Sequence, residues 1–319
     1  MSTPPLVSVI VATYNRSRLL AHAIESVRRS NFTDWELIIV GDHCTDDSSE
    51  VVASFNDTRV SFVNLPQNAG EQSAPNSEGM QRARGRYLAF LNHDDLYFPD
   101  HLSSAIGWCE RSKADFVWSP PIVALEVTEE QLSAGDWQFR LSGVPPGDDY
   151  DPRVFVFASA WLLTRELAAR IGAWRPARET FVSSSQDWVF RAWRSGARMR
   201  FNPHPSVLAV PLGVRRDSYR LARNVEHEFF AAEMRDNPRF RDRALQIAAI
   251  AGERESNRYR FSRHIPEALR SLIARPAAAA AISLGMHPYT PYFALQHGRR
   301  GNLINAIRRR GGLGKLARS

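Results

Sequence analysis

Along its first 120 residues the chain alternates short unbroken apolar runs with stretches whose apolar residues recur every three or four positions. "VSVIVATY" (7–14), "WELIIVGD" (35–42), "VSFVNL" (60–65), "YLAFLN" (87–92) and "DFVWSP" (115–120) are runs of the first kind. Rich in β-branched residues, they predict strands buried on both faces. Between them, 16–30 sets Leu19, Leu20, Ala23, Ile24 and Val27 on one helical face. Shorter helices are predicted over 46–55, near 71–83 and after Pro99, which suits a helix's first turn. Strand and helix in alternation predict an α/β fold, a mostly parallel sheet with helices on both faces. Residues 122–152 are turn-rich and acidic and read as a loop beside the site. A strand and short helix follow over 155–174, and a helix carrying Asp187 in its first turn ends at Gly196. Beyond about 218 the pattern is mainly helical. The expected division is 1–217, with halves 1–121 and 122–217, then a basic helical region, 218–319.

Ligands of parallel α/β sheets bind outside the carboxyl ends of the strands. Three polar clusters fall there: Thr13-Tyr14-Asn15, Asp42 to Asp46, and Asn92-His93-Asp94-Asp95. No G-x-G-x-x-G follows the first strand and no P-loop occurs anywhere, which excludes those two phosphate-binding devices.

Composition sharpens the picture in two places. The two cysteines, Cys44 and Cys109, have neither metal-ligand spacing nor a partner framework, which suits a reducing compartment. The start of the chain lacks the basic segment of a secretory signal, so a cytoplasmic protein is expected. The net charge of +7 is uneven. Residues 220–319 hold 19 Lys and Arg against 8 Asp and Glu, a net +11, and leave −4 on residues 1–219. A slightly acidic candidate site argues against nucleic-acid binding. Residues 268–319 contain nine Lys and Arg and no acid, interleaved with Tyr, Phe, Leu and Ile. That mixture suits an anionic membrane surface, while a solvated helical tail or a homo-oligomer contact are its other readings.

Asp94 and Asp95 are the first candidates for chemistry. Hard cations such as Mg²⁺ or Mn²⁺ take one or two carboxylates and complete their shell with substrate phosphates and water; the plain alternative is a turn or helix-capping pair. Asp42 can accept from a base or ribose, or cap a turn. Asp187 can take a proton from an attacking hydroxyl, or simply stabilise its helix's N-terminus. His93 and His204 are candidates for ligand or proton-transfer roles, against the commoner structural role.

In this order the clusters resemble the family 2 glycosyltransferases of GT-A fold. "VSVIVATYNR" is similar to that family's opening strand and turn, and "WELIIVGDHCTDDS" to its second strand and acidic turn. "NAGEQSAPNSEGMQRARGRYLAFLNHDD" resembles the stretch leading to its Asp-x-Asp metal motif, and "SSQDWVFRAWRSG" its Glu-Asp segment. The resemblance runs over roughly residues 6–212. It implies a nucleotide-sugar donor, UDP-linked by preference, bound by Ala12, Thr13, Tyr14, Asn15, Asp42, Asn76, His93 and Asp94. It further implies Mn²⁺ or Mg²⁺ on Asp95 and Asp94, with Asp95 the direct ligand, and Asp187 as base in an inverting transfer to a carbohydrate or lipid-linked acceptor. Gly41, Pro75, Asn92 and Gln186 depart from the pattern, each removing one charge. A homologue that binds donor without turnover is the alternative; a nucleotidyltransferase is disfavoured by the missing Lys-bearing phosphate loop.

Overall fold

The computed structural model describes residues 3–125, 127–180, 182–210, 225–261 and 276–290. The chain opens β1 (Val7–Thr13), α1 (Ser17–Arg28), β2 (Trp35–Gly41), α2 (Ser48–Ser54), β3 (Val60–Asn64), α3 (Ser73–Arg82) and β4 (Tyr87–Asn92). It continues through β5 (Asp95–Tyr97), α4 (His101–Ser112), β6 (Phe116–Trp118), β7 (Ile122–Ala124), α5 (Glu129–Ala134) and β8 (Phe139–Leu141). Then come β9 (Trp161–Thr164), α6 (Arg165–Ile171), α7 (Ser184–Arg194), β10 (Met199–Phe201), β11 (Val207–Ala209), α8 (Val225–Asp236) and α9 (Phe240–Phe261).

Seven strands form the main sheet in the order β10-β6-β9-β4-β1-β2-β3, parallel except for β9, which runs against both β4 and β6. The apolar runs are central because both faces are covered. On one face Leu20, Ala23, Ile24 and Val27 of α1 and Leu102, Ala105 and Ile106 of α4 pack on the sheet. On the other lie Leu167 and Ala168 of α6 and Trp188, Val189 and Ala192 of α7. There α3 crosses β1 so closely that a Cβ on Gly79 would lie 2.4 Å from Ile10 Cγ2, which only glycine avoids.

The stretch expected as a loop, 122–152, instead holds β7, α5 and β8. With β5 and β11 these strands make a second sheet, ordered β5-β11-β7-β8. Its core is aromatic: Trp137 and Phe139 pack with Phe230 of α8 and Phe240 of α9. Burial of those rings orders a segment whose polar composition suggests exposure. The expected boundary at 217 lies outside the described residues, as does most of the basic tail. Residues 276–283 are helical, and no described helix is long and apolar enough to cross a membrane.

Candidate active site

The strand order reverses between β1 and β4: β2 and β3 follow β1 outward on one side, and β4 returns to its other side. A crevice at the carboxyl ends of the two strands is the expected binding place. A cleft of about 340 Å³ opens there. Its lining includes Ala12, Thr13 and Tyr14 from the end of β1, Asp42 after β2, Asn68, Gly70, Glu71, Gln72 and Pro75 around the start of α3, and His93 after β4. Five of the sequence-predicted donor residues, Ala12, Thr13, Tyr14, Asp42 and His93, thus meet in one cleft. Thr13 is buried and its hydroxyl has no partner, while Tyr14 is exposed at the cleft's lip. His93 Nδ1 lies 3.3 Å from the Ala12 carbonyl across the reversal, and burial pulls its pKa down to about 4.

Asn15 and Asn76, which are outside that lining, and Asp42, which is in it, have structural partners. Asn15, at φ 48°, accepts from Thr45 N at 2.8 Å and donates to Thr45 Oγ1 at 3.2 Å, stapling the first turn to the second. Asn is among the residues that tolerate this left-handed conformation. Asn76 is buried in α3 and contacts Gln72 Oε1 at 3.5 Å. Asp42 accepts from Ala69 N at 2.7 Å and Gly70 N at 2.9 Å, so it shapes the wall made by residues 68–70.

Asp94 lies in the turn from β4 into β5, and Asp95 opens β5. Asp95 is 3% exposed. Its Oδ2 accepts from Asn92 Nδ2 at 2.9 Å and from the Ser159 hydroxyl, and its Oδ1 from Val210 N at 3.3 Å. Burial, with the Asp94 charge behind it, pushes the Asp95 carboxyl up to about 7. Protein donors therefore hold both Asp95 oxygens, the atoms a direct metal ligand would use. Among the described residues no three His, Cys, Asp or Glu side chains gather as a metal cage. A cation that arrives with a diphosphate needs only one or two protein carboxylates, since phosphate and water complete its shell.

Asp187 lies one turn into α7, where Ser184, Ser185 and Gln186 are buried. Its Oδ2 accepts from Arg191 Nε at 2.9 Å, and its Oδ1 is 3.6 Å from Arg175 Nη1. Glu71, which sequence reading passed over inside a quoted motif, connects this helix to the cleft through the Ser184 hydroxyl at 2.7 Å. Ser159 was also missed; nothing in its surroundings along the chain singles it out. His204 sits apart, its Nε2 2.8 Å from Asp100 Oδ2, with Arg241 Nη1 2.9 Å from the same oxygen.

Three departures now have physical reasons. A Cβ on Gly41 would lie 2.6 Å from Asn64 Oδ1, and the Asn64 amide in turn holds the backbone of Cys44. Asn92 donates to Asp95, where a third carboxylate would repel it. Gln186 pairs with Val156 twice, its Nε2 2.8 Å from the carbonyl and its Oε1 3.3 Å from the N–H. A carboxylate at that place could accept but not donate.

With this geometry, the model of glycosyl transferase family 2 matches residues 8–172, more than half of the 319. The chain belongs to glycosyl transferase family 2. It is 37% identical over 113 residues to the putative teichuronic acid biosynthesis glycosyltransferase TuaG of Bacillus subtilis, a match over 34% of this chain and 44% of that protein. The chain spans less than half the length of the curated relatives it matches. Among solved structures, S. aureus TarS 1–349 in complex with UDP-GlcNAc aligns with a TM-score of 0.55 at 16% identity, over 96% of this chain and 90% of that one. A mannosyltransferase from Pyrobaculum calidifontis, in complex with GDP-Man and Mn²⁺, aligns with a TM-score of 0.50 at 18% identity, over 97% and 88%. At these identities the likeness is one of fold, and the fold of this family 2 chain is the expected GT-A type, a mostly parallel sheet between helices.

Proposed function

We propose that this chain transfers a sugar from a nucleoside-diphosphate sugar, UDP-linked by preference, to an acceptor hydroxyl with inversion at the anomeric carbon. The observation that carries the reading is the cleft at the β1/β4 reversal, whose wall combines Ala12 and Thr13 at the end of β1, the Tyr14 ring and the loop pinned by Asp42. Tyr14 offers the base a stacking face, and Thr13 lines the floor beside it. Asp42 sets the 68–70 wall and meets the base or ribose edge.

Asp42 and Glu71 make the cleft wall acidic, so a bound diphosphate needs a counter-charge. Asp94 would hold Mn²⁺ or Mg²⁺ there, with Asp95 supporting the turn behind it; when bound, the ion stabilises the departing nucleoside diphosphate. The acceptor oxygen forms the new bond to the anomeric carbon as the bond to the diphosphate breaks, and Asp187 takes the hydroxyl proton. The matched TuaG, named for teichuronic acid biosynthesis, supports a carbohydrate acceptor in polysaccharide assembly; a lipid-linked acceptor and a cytoplasmic site of action belong to the same proposal. Residues 268–319 supply peripheral contact with anionic lipid; in the described part, Leu284, Met286 and Tyr289 are exposed.

A second reading, donor binding without turnover, has its own observation: Asp187 is ion-paired to two arginines, and each Asp95 oxygen already accepts a hydrogen bond from the protein. Incubating the chain with UDP-, GDP- and dTDP-sugars and Mn²⁺, and following release of nucleoside diphosphate, separates the two. Release that disappears in Asp187→Asn supports transfer. Binding of a nucleotide sugar without release supports the second reading.

A further inference from the structure

Glu71 stands between the donor cleft and the helix that carries Asp187. It follows Gly70, whose N–H, with that of Ala69, is held by Asp42; the turn is therefore fixed to the end of β2. From that turn the Glu71 carboxylate reaches residues more than a hundred positions along the chain. Oε1 accepts from Ala177 N at 2.6 Å and from the Ser73 hydroxyl at 2.9 Å, and Oε2 from the Ser184 hydroxyl at 2.7 Å. Only Ser73 belongs to the adjoining helix α3, so capping α3 does not account for the arrangement. The other two contacts both lie ahead of Asp187 in the chain and tie down the segment that leads to it. Ala177 lies two residues after Arg175, whose Nη1 is 3.6 Å from Asp187 Oδ1, and Ser184 opens α7 one turn before Asp187.

All three partners of this carboxylate are donors. An ionised carboxylate accepts from all of them at once, in charge-assisted bonds about twice as strong as neutral ones. An amide in its place would turn an NH₂ toward one of those donors. Glu71 also lines the cleft, so a ligand filling the cleft restricts the same turn that holds Ala177 and Ser184.

We infer that Glu71 is a positioning residue: it couples occupancy of the donor cleft to the placement of Asp187, through Asp42 on one side and Ala177 and Ser184 on the other. The inference rests on the cleft being the donor site. A separate tie, Trp174 N to Ser77 Oγ at 3.0 Å, still joins α3 to the segment before α7 when Glu71 is changed, so the fold has an independent support.

Hydrogen–deuterium exchange on the full chain, with UDP and Mn²⁺ as the probe, tests the coupling in wild type, Glu71→Gln and Glu71→Ala. In wild type, UDP should slow exchange both at the cleft (12–15 and 68–72) and across 175–187. In Glu71→Ala the cleft should still be protected while 175–187 is not, with Glu71→Gln intermediate. Unchanged exchange in β1 and β2 verifies that each variant is folded. With donor sugar, kcat should fall about ten- to a hundredfold while the donor KM stays close to wild type. Protection of 175–187 that persists in Glu71→Ala overturns the coupling and leaves the donor cleft standing. Wild-type protection confined to 12–15 and 68–72 does the same. An absence of any protection in wild type overturns the donor-cleft reading and the coupling with it.

Discussion

Arg191 Nε lies 2.9 Å from Asp187 Oδ2, one turn further along α7, while its Nη1 and Nη2 each donate at 2.8 Å, to the carbonyls of Ile171 and Ala173. One guanidinium thus fixes the proposed base and closes the end of α6. Lys has neither the fork nor the reach to serve all three acceptors. Arg191→Lys should cost about 1–3 kcal/mol of stability, visible as a lower melting temperature, and should also slow turnover. Asp187→Asn keeps the shape and should reduce turnover by about 10²–10⁴ while leaving UDP affinity near wild type. Full turnover in Asp187→Asn would remove that residue from the base role.

Asp95 depends on Ser159 and Asn92 for its burial. Ser159→Ala leaves the buried carboxyl with fewer donors and should lower stability by about 1–3 kcal/mol, measured by thermal melting. Asn92→Asp should also lower the melting point without metal, because it sets a third carboxylate against Asp95. In return it should reduce the Mn²⁺ concentration needed for half-maximal UDP binding. A melting point unaffected by either change would contradict the network described.

Asp42 holds the cleft wall by two backbone N–H groups. Asp42→Ala releases both and should weaken UDP binding about tenfold or more, the equivalent of one hydrogen bond's net contribution or slightly above it. Calorimetric titration of the variant checks this. An unchanged affinity would show that neither Asp42 nor the 68–70 wall meets the nucleotide.

Acid should destabilise the fold above the pH at which carboxylates with ordinary values titrate. Burial pulls His101 down to about 3 and His93, His227 and His287 to about 4, against an ordinary value of 6.5. Because the folded state binds these protons less readily than the unfolded chain, the stability they contribute is complete above pH 6.5 and is lost as pH falls from there toward 4. Asp95, raised to about 7, acts in the opposite sense over the same range, as one group against four. Melting temperatures should therefore decline steadily from pH 7 to pH 4, and a flat profile would contradict the neutral burial of these histidines.

Much of the fold was legible because its central strands are long and buried on both faces. The runs at 7–14, 35–42 and 87–92 became β2-β1-β4, and the apolar stripe of 16–30 became the buried face of α1. The second sheet was not legible. Strands of three residues carry no readable period, and β11 meets β5 through Ala209 and Asp95, 114 positions apart in the chain. The site divided in the same way. Thr13, Asp42 and His93 stand at strand ends, where polar residues break an apolar run. Ser159 and Glu71 act across 64 and 113 positions, and only the tertiary fold brings them to Asp95 and Ser184.

The central claim is that the cleft beneath Thr13, Tyr14 and Asp42 takes a nucleoside diphosphate together with a divalent cation. Calorimetric titration of the full chain with UDP, in Mn²⁺ and again in excess EDTA, tests it most directly. The account predicts a single saturable site in Mn²⁺ that weakens at least tenfold in EDTA. No heat with UDP, GDP or dTDP in either buffer would contradict it.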